Sequence, residues 1–186
     1  EQSVELPLQR GRIIPLETSD SSLLYDIVSI DQVKDKYFIR SRNKILTFDT
    51  EGNYLYNISG IGQGNKEYVN LSSFFIKNEE LCIYDFNQGR VLFFAPSGRY
   101  LRTEKAVKKS DVECAPQLIR PYGKNKYIAK NSFNGTPGYV TPALSLLDEK
   151  YTITQTLEGH SLHTGFLLFD FMNCDDNGCL LYTSPS

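Results

Sequence analysis

The sequence predicts an all-β chain folded as a β-propeller, and three observations carry that prediction. A unit of about 46 residues recurs, its apolar runs have strand length and end at glycine turns, and no stretch of ten or more residues keeps a helical period. A β-sandwich with coincidental hairpin similarity is the competing fold.

The repeat is clearest between "KILTFDTEGNYL" (44–55) and "RVLFFAPSGRYL" (90–101), where Leu46/Leu92, Phe48/Phe94, Gly52/Gly98, Tyr54/Tyr100 and Leu55/Leu101 are identical. Each is an apolar run, a glycine turn and a second run, which is a hairpin signature. The glycine suits a turn position with positive φ. Upstream, "DIVSI" (26–30) falls opposite "SSFFI" (72–76) at the same spacing of 46, and "KYFIR" (36–40) faces "ELCIY" (80–84) at 44. The two residues are regained where "SRNK" becomes "DFNQGR". In a third copy, "PQLIRPYGKNKYIAK" supplies two strands and "ALSLLDEKYTITQTL" two more. The step from Phe94-Ala95 to Leu147-Asp148 is 53, and the excess is assigned to an insertion, "NSFNGTPGYVTP" (131–142). A fourth copy starts at "TGFLLFDF" (164–171).

Four strands per 46 residues is the pattern of propeller blades. The predicted organisation is a lead-in over 1–12, then units at about 13–61, 62–108, 109–160 and 161–178, or three and a half blades. The 12 tyrosines and 11 phenylalanines fall mostly within the strand runs, as stacked sheets would use them.

The glycine-rich stretch "GIGQGNKEYVNLSSF" (60–74) lies between an outer strand of unit one, "YLYNIS", and an inner strand of unit two, "NLSSFFI". Its pattern is G-x-G-x-G with no helix after it, so it lacks the helix N-terminus that a phosphate-cradling loop needs. It reads as the corner where the chain crosses from the rim of one blade to the axis of the next.

The 186 residues fit one domain or part of a larger one; 40 % are hydrophobic and 23 % charged, enough for a core and an ordinary polar surface. A net charge of −2 with mixed signs gives neither a nucleic-acid footprint nor a polybasic membrane patch. No run approaches the length of a transmembrane helix. The four cysteines, Cys82, Cys114, Cys174 and Cys179, form no C-x-x-C pair. Cys82, inside "ELCIYD", reads as a buried free thiol.

The residues "IIPLETSDSSLLYDIVSI", "YFIR", "KILTFDTEGNYLYNISGIGQGNKEYVNLSSFFI", "LCIYD" and "RVLFFAPSGRYL" together resemble six-bladed, NHL-like β-propeller proteins of gut Gram-negative bacteria, many of them predicted exported lipoproteins. The family's corner reads G-x-G-Q-G-P-G-E-Y. Gly62, Gln63, Gly64, Glu67 and Tyr68 match it, while Asn65 and Lys66 stand where Pro-Gly is usual. The resemblance spans roughly residues 10–160. It implies a six-bladed ring, a periplasmic or cell-surface location, and a lipid anchor upstream of residue 1. Six such units exceed the residues present, so the chain reads as truncated. The ending "CLLYTSPS" resembles a translated adapter string, so 179–186 is expected to be a non-native tail.

Candidate chemistry is sparse. The insertion offers Asn131, Phe133, Asn134 and Tyr139, which could stack on and hydrogen-bond a sugar or peptide; the plain alternative is a long hairpin turn. His160 and His163, in "EGHSLHTG", are weak metal candidates, because zinc needs three or four ligands. Asp175-Asp176 in "CDDNGC" reads as hairpin-turn chemistry before calcium binding. "KAVKKSD" (105–111) reads as a solvated linker. Asn57, Asn70 and Asn134 head N-glycosylation patterns that are coincidental in a bacterial chain. No cofactor is expected.

The first functional reading is a non-catalytic scaffold presenting loops to a carbohydrate, peptide or protein partner at the cell envelope. The rival is a propeller-type hydrolase or lyase with metal or acid/base groups on the ring axis. It expects His, Asp or Glu at inner-strand positions matching Ser29, Phe75 and Ile119. A third reading is an open half-ring completed by self-association.

Overall fold

The computed structural model describes residues 13–106, 116–131 and 144–157, together with the backbone of 171–175 and 178–182. Among these residues the chain is all β. Blade 1 comprises β1 (Ser29–Val33), β2 (Lys36–Ser41), β3 (Lys44–Asp49) and β4 (Tyr54–Ile58). Blade 2 comprises β5 (Ser73–Lys77), β6 (Glu80–Asp85), β7 (Arg90–Phe94) and β8 (Tyr100–Lys105). Blade 3 comprises β9 (Pro116–Pro121), β10 (Tyr127–Asn131), β11 (Leu144–Leu147) and β12 (Ile153–Leu157). A further hairpin joins β13 (Phe171–Asp175) to β14 (Gly178–Tyr182).

Each four-stranded sheet is an antiparallel meander in chain order. The first strands of successive sheets are neighbours: β1 lies beside β5, β5 beside β9, and β9 beside β13. Sheets that share an inner line of first strands and stack face to face are the blades of a propeller, and the fold expected from the repeat is the one observed.

Blade 2 shows why its strands read as nearly continuous apolar runs. Side chains alternate across a strand, and here both faces are covered. Phe74, Leu81, Ile83, Leu92 and Phe94 pack towards blade 1 with Val33, Phe38, Ile45 and Ile58. Phe75, Cys82, Tyr84, Val91 and Phe93 pack towards blade 3 with Ile119, Tyr127, Ala129 and Leu147. Cys82 is free and fully buried, and that burial pushes its thiol well above the ordinary range.

The far face of blade 1 is covered by the chain's own segment 13–28. Leu16 and Leu24 pack on Ile39, Leu46 and Phe48. The segment is tied down by the Glu17 N–H to the Gly52 carbonyl (2.8 Å), and by the Tyr54 N–H to Glu17 Oε2 (2.9 Å). Asp26 Oδ1 accepts from Ser41 Oγ and the Arg42 N–H at 3.1 and 3.0 Å. Gly52 has φ +91°, and a Cβ there would lie 2.1 Å from the Pro15 carbonyl oxygen, so this strap requires the turn glycine.

The outer hairpins of the three described blades carry the same irregularity. Phe48 pairs with Tyr54, Phe94 with Tyr100 and Leu147 with Ile153, leaving Leu55, Leu101 and Thr154 as bulged residues. The positive-φ turn site is Gly52 in blade 1 and Gly98 in blade 2, but Tyr151 (φ 59°) in blade 3. Tyr151 stays there because its ring is fully buried against Tyr127, with centroids 4.5 Å apart.

Two expectations are corrected. The first strand of blade 1 is not 26–30 but β1, Ser29–Val33. The inner-hairpin turns set the alignment: Val33 pairs with Lys36 as Lys77 pairs with Glu80, so the offset of 44 runs back through the first strand. The stretch 105–111 is not all linker either, since Lys105 ends β8 and Ala106 is buried against blade 2; 107–111 lie outside the described residues.

Candidate functional site

The corrected alignment moves the inner-strand positions. Asp31 pairs with Phe38 as Phe75 pairs with Cys82, and Arg120 pairs with Ile128 in the same relation. The positions matching Phe75 are therefore Asp31 and Arg120, where the sequence alignment had placed Ser29 and Ile119. One layer of the inner strands thus carries an acid, an aromatic and a base.

The arginines near this layer are held by main chain. Arg120 Nη1 donates to the Phe74 carbonyl, and Arg40 Nη1, from β2, donates to the Ser72 carbonyl at 2.8 Å. Flanking blades thus each lend a guanidinium to carbonyls two residues apart at the start of blade 2, Ser72 just before β5 and Phe74 within it. Ser73 Oγ adds a bond to the Ile119 carbonyl at 2.8 Å. Burial lowers the pKa of Arg40, with the like charge of Arg120 adding to it, and burial also lowers that of Arg120, opposed by Asp31.

Asp31 sits in the opposite balance. Burial raises its carboxyl above the ordinary value of 3.8, and Arg120 only partly offsets this. Among the described residues, its buried Oδ2 has no hydrogen-bond partner. An acid with a raised folded-state pKa holds its proton more tightly folded than unfolded. Stability is then lost as pH rises from 3.8 through the raised value. Each tenfold difference in proton affinity is worth about 1.4 kcal/mol. In urea unfolding across acid pH, the wild type should therefore lose stability relative to Asp31→Asn as pH rises. A wild-type-minus-variant difference that is flat with pH would refute this.

The corner residues meet as a structural knot. The Gly62 N–H donates to the Tyr68 carbonyl (3.0 Å), the Tyr68 N–H to the Gly60 carbonyl (2.7 Å), and Ile61 and Tyr68 form a parallel bridge. Glu67 Oε2 accepts from the Gly64 N–H at 3.0 Å and fills the space over Gly62, where a Cβ would lie 2.0 Å from it. Tyr68 is fully buried; its hydroxyl donates to the Asn43 carbonyl at 2.6 Å, with the Ile58 carbonyl 3.3 Å away. Burial pushes the Tyr68 phenol up to about 12. Gln63 is exposed beside this turn.

Two residues that sequence reasoning passed over complete the knot. Asp85 is fully buried: Oδ2 accepts from the Val69 N–H at 2.8 Å, while Oδ1 accepts from the N–H groups of Asn87 and Gln88. Arg90, with Nε 3.9 Å from Asp85 Oδ2, donates through Nη2 to the Glu67 carbonyl. "DFNQGR" was legible only as a turn.

Of the predicted ligand-binding residues, Asn131 ends β10. It is 7 % exposed, and its amide exchanges hydrogen bonds with Ser145 Oγ at 2.8 and 3.1 Å. Phe133, Asn134 and Tyr139 lie outside the described residues, as do the metal candidates His160 and His163. Asp175 pairs with Gly178 across the β13–β14 hairpin, in the stretch read as a turn.

A family model described as a domain of unknown function, DUF4934, matches residues 8–183. Among solved structures, the chain is similar to a Bacteroides fragilis protein predicted to be exported, with a TM-score of 0.73 and 18 % identity, covering 91 % of this chain and 48 % of that one. It is also similar to a Bacteroides vulgatus member of the DUF4221 family, with a TM-score of 0.50 and 11 % identity, covering 78 % of this chain and 46 % of that one. The chain thus spans about half the length of these structures. No curated protein matches it.

Proposed function

Because this chain belongs to the DUF4934 family, whose function is open, we propose that it is an exported, non-catalytic propeller scaffold that binds a carbohydrate, peptide or protein partner at the cell envelope. The observation that carries this reading is how the arginines on and beside the inner strands are used. Arg40 and Arg120 are bonded to carbonyls of the neighbouring blade, so they brace the inner line of strands. The blades, packed on both faces of blade 2, form a stiff frame on which outer turns and the 131–142 insertion can present a binding surface. The envelope location rests on similarity to a protein predicted to be exported. Closure of the ring to six blades belongs to the same proposal.

One observation favours the hydrolase or lyase reading: Asp31, on the innermost strand with a raised carboxyl pKa, has the character of an acid/base group. A single experiment separates the two. The full chain is incubated with panels of oligosaccharides and peptides, and both retention and product formation are followed by mass spectrometry. Retention of one class without product supports the scaffold. Product formation that disappears in Asp31→Asn establishes the enzyme, and neither retention nor product overturns the scaffold.

A further inference from the structure

Where blades 2 and 3 meet, the β5–β6 turn and the longer β9–β10 turn enclose a cleft of about 140 Å³ lined by Lys77, Asn78, Gly123, Lys124, Lys126 and Tyr127, among others. Three lysines line one small space, and among the described residues no carboxylate lines it. The acids nearest in sequence are engaged elsewhere. Glu79 pairs with Lys34 of blade 1 at 2.7 Å, and Glu80 with Arg102 of β8 at 2.8 Å. Among the described residues, neither Lys124 nor Lys126 forms an ion pair.

The floor of the cleft is fixed. Tyr127 and Tyr151 are buried, and the Tyr127 hydroxyl donates to that of Tyr151 at 3.0 Å. Lys77 Nζ donates to the Tyr127 oxygen and also lies 4.9 Å from the centre of its ring. One of the three ammonium donors is thereby used to hold the group in place, which leaves two for a ligand. Asn78 and Asn125 bring amide groups to the rim, both on backbone with positive φ.

We infer that this cleft is an oxyanion-binding site, taking the sulfate, phosphate or carboxylate group of an acidic ligand. The charge is unbalanced, one lysine is preorganised, and the volume suits a single anionic group with its immediate neighbours. The inference goes beyond the scaffold reading, because an oxyanion site would serve an enzyme equally well.

The test uses the full chain and three probes, inorganic sulfate, inorganic phosphate and glucuronate, each against glucose as the neutral control. Binding is followed by NMR shifts and calorimetry at about 0.01 M ionic strength, where screening is weakest. At least one anion should bind, and whichever binds tightest assigns the source. Lys124→Ala/Lys126→Ala, which alters exposed turn residues, should weaken that binding roughly tenfold or more. Lys44→Ala/Lys150→Ala removes the same charge elsewhere and should leave it nearly unchanged. Lys77→Met should weaken binding as the turn pair does. The inference is overturned if no anion binds above glucose, or if both lysine pairs weaken binding equally. If no anion binds above glucose while peptide or neutral-glycan retention persists, the scaffold stands without this site.

Discussion

Tyr68→Ala is expected to cost about 3–5 kcal/mol of stability, the range for removing a fully buried aromatic side chain. Tyr68 is 0 % exposed and packs within the core shared by blades 1 and 2. It also joins the corner to blade 1 through its hydroxyl and the Asn43 carbonyl. Tyr68→Phe keeps the ring and removes that bond, so it should cost about 1–2 kcal/mol. Urea unfolding followed by circular dichroism checks both, since the chain has no tryptophan to report by fluorescence. Equal losses in the two variants would show that packing contributes nothing beyond the hydroxyl, against the structure.

Asp85→Ala is expected to cost about 3 kcal/mol or more, because it strands buried donors and leaves Arg90 without its acid. The N–H groups of Val69, Asn87 and Gln88 would lose their acceptor together. Asp85→Asn retains one carbonyl oxygen, so it should fall between the wild type and Asp85→Ala. The same unfolding measurement applies, with a local readout added. Hydrogen exchange at Val69 should rise in Asp85→Ala beyond what the global loss explains. Protection at Val69 that tracks only global stability would mean that the carboxylate does not tie the corner to blade 2.

Both predictions concern one knot, and they show what was legible. Gly62, Gly64, Glu67 and Tyr68 stood out because their spacing matched a family corner, and the structure brings them into contact. Asp85 and Arg90 did not stand out. They lie in a sequence whose Asp, Asn and Gly are ordinary turn residues, and their partners, Val69 and Glu67, are main-chain groups that any residue supplies. The first strand of blade 1 was misplaced for a related reason. "DIVSI" is as apolar as a strand, but its Tyr25, Ile27 and Val28 neighbourhood remains exposed, and pairing with β2 begins at Ser29.

The sequence by itself determined the blades: a period near 46, alternation within runs, and turn positions at Gly52 and Gly98 that local backbone geometry demands. These are short-range properties, written in neighbouring residues. Only the tertiary structure decided that Asp31, Phe75 and Arg120 occupy one inner layer, that Arg40 and Arg120 brace blade 2, and that Lys77, Lys124 and Lys126 share a cleft. Those groups come from different blades, and their relative placement depends on a two-residue register difference and on the carbonyls each side chain reaches. A strand pattern fixes which residues alternate, whereas pairing and stacking fix which of them meet.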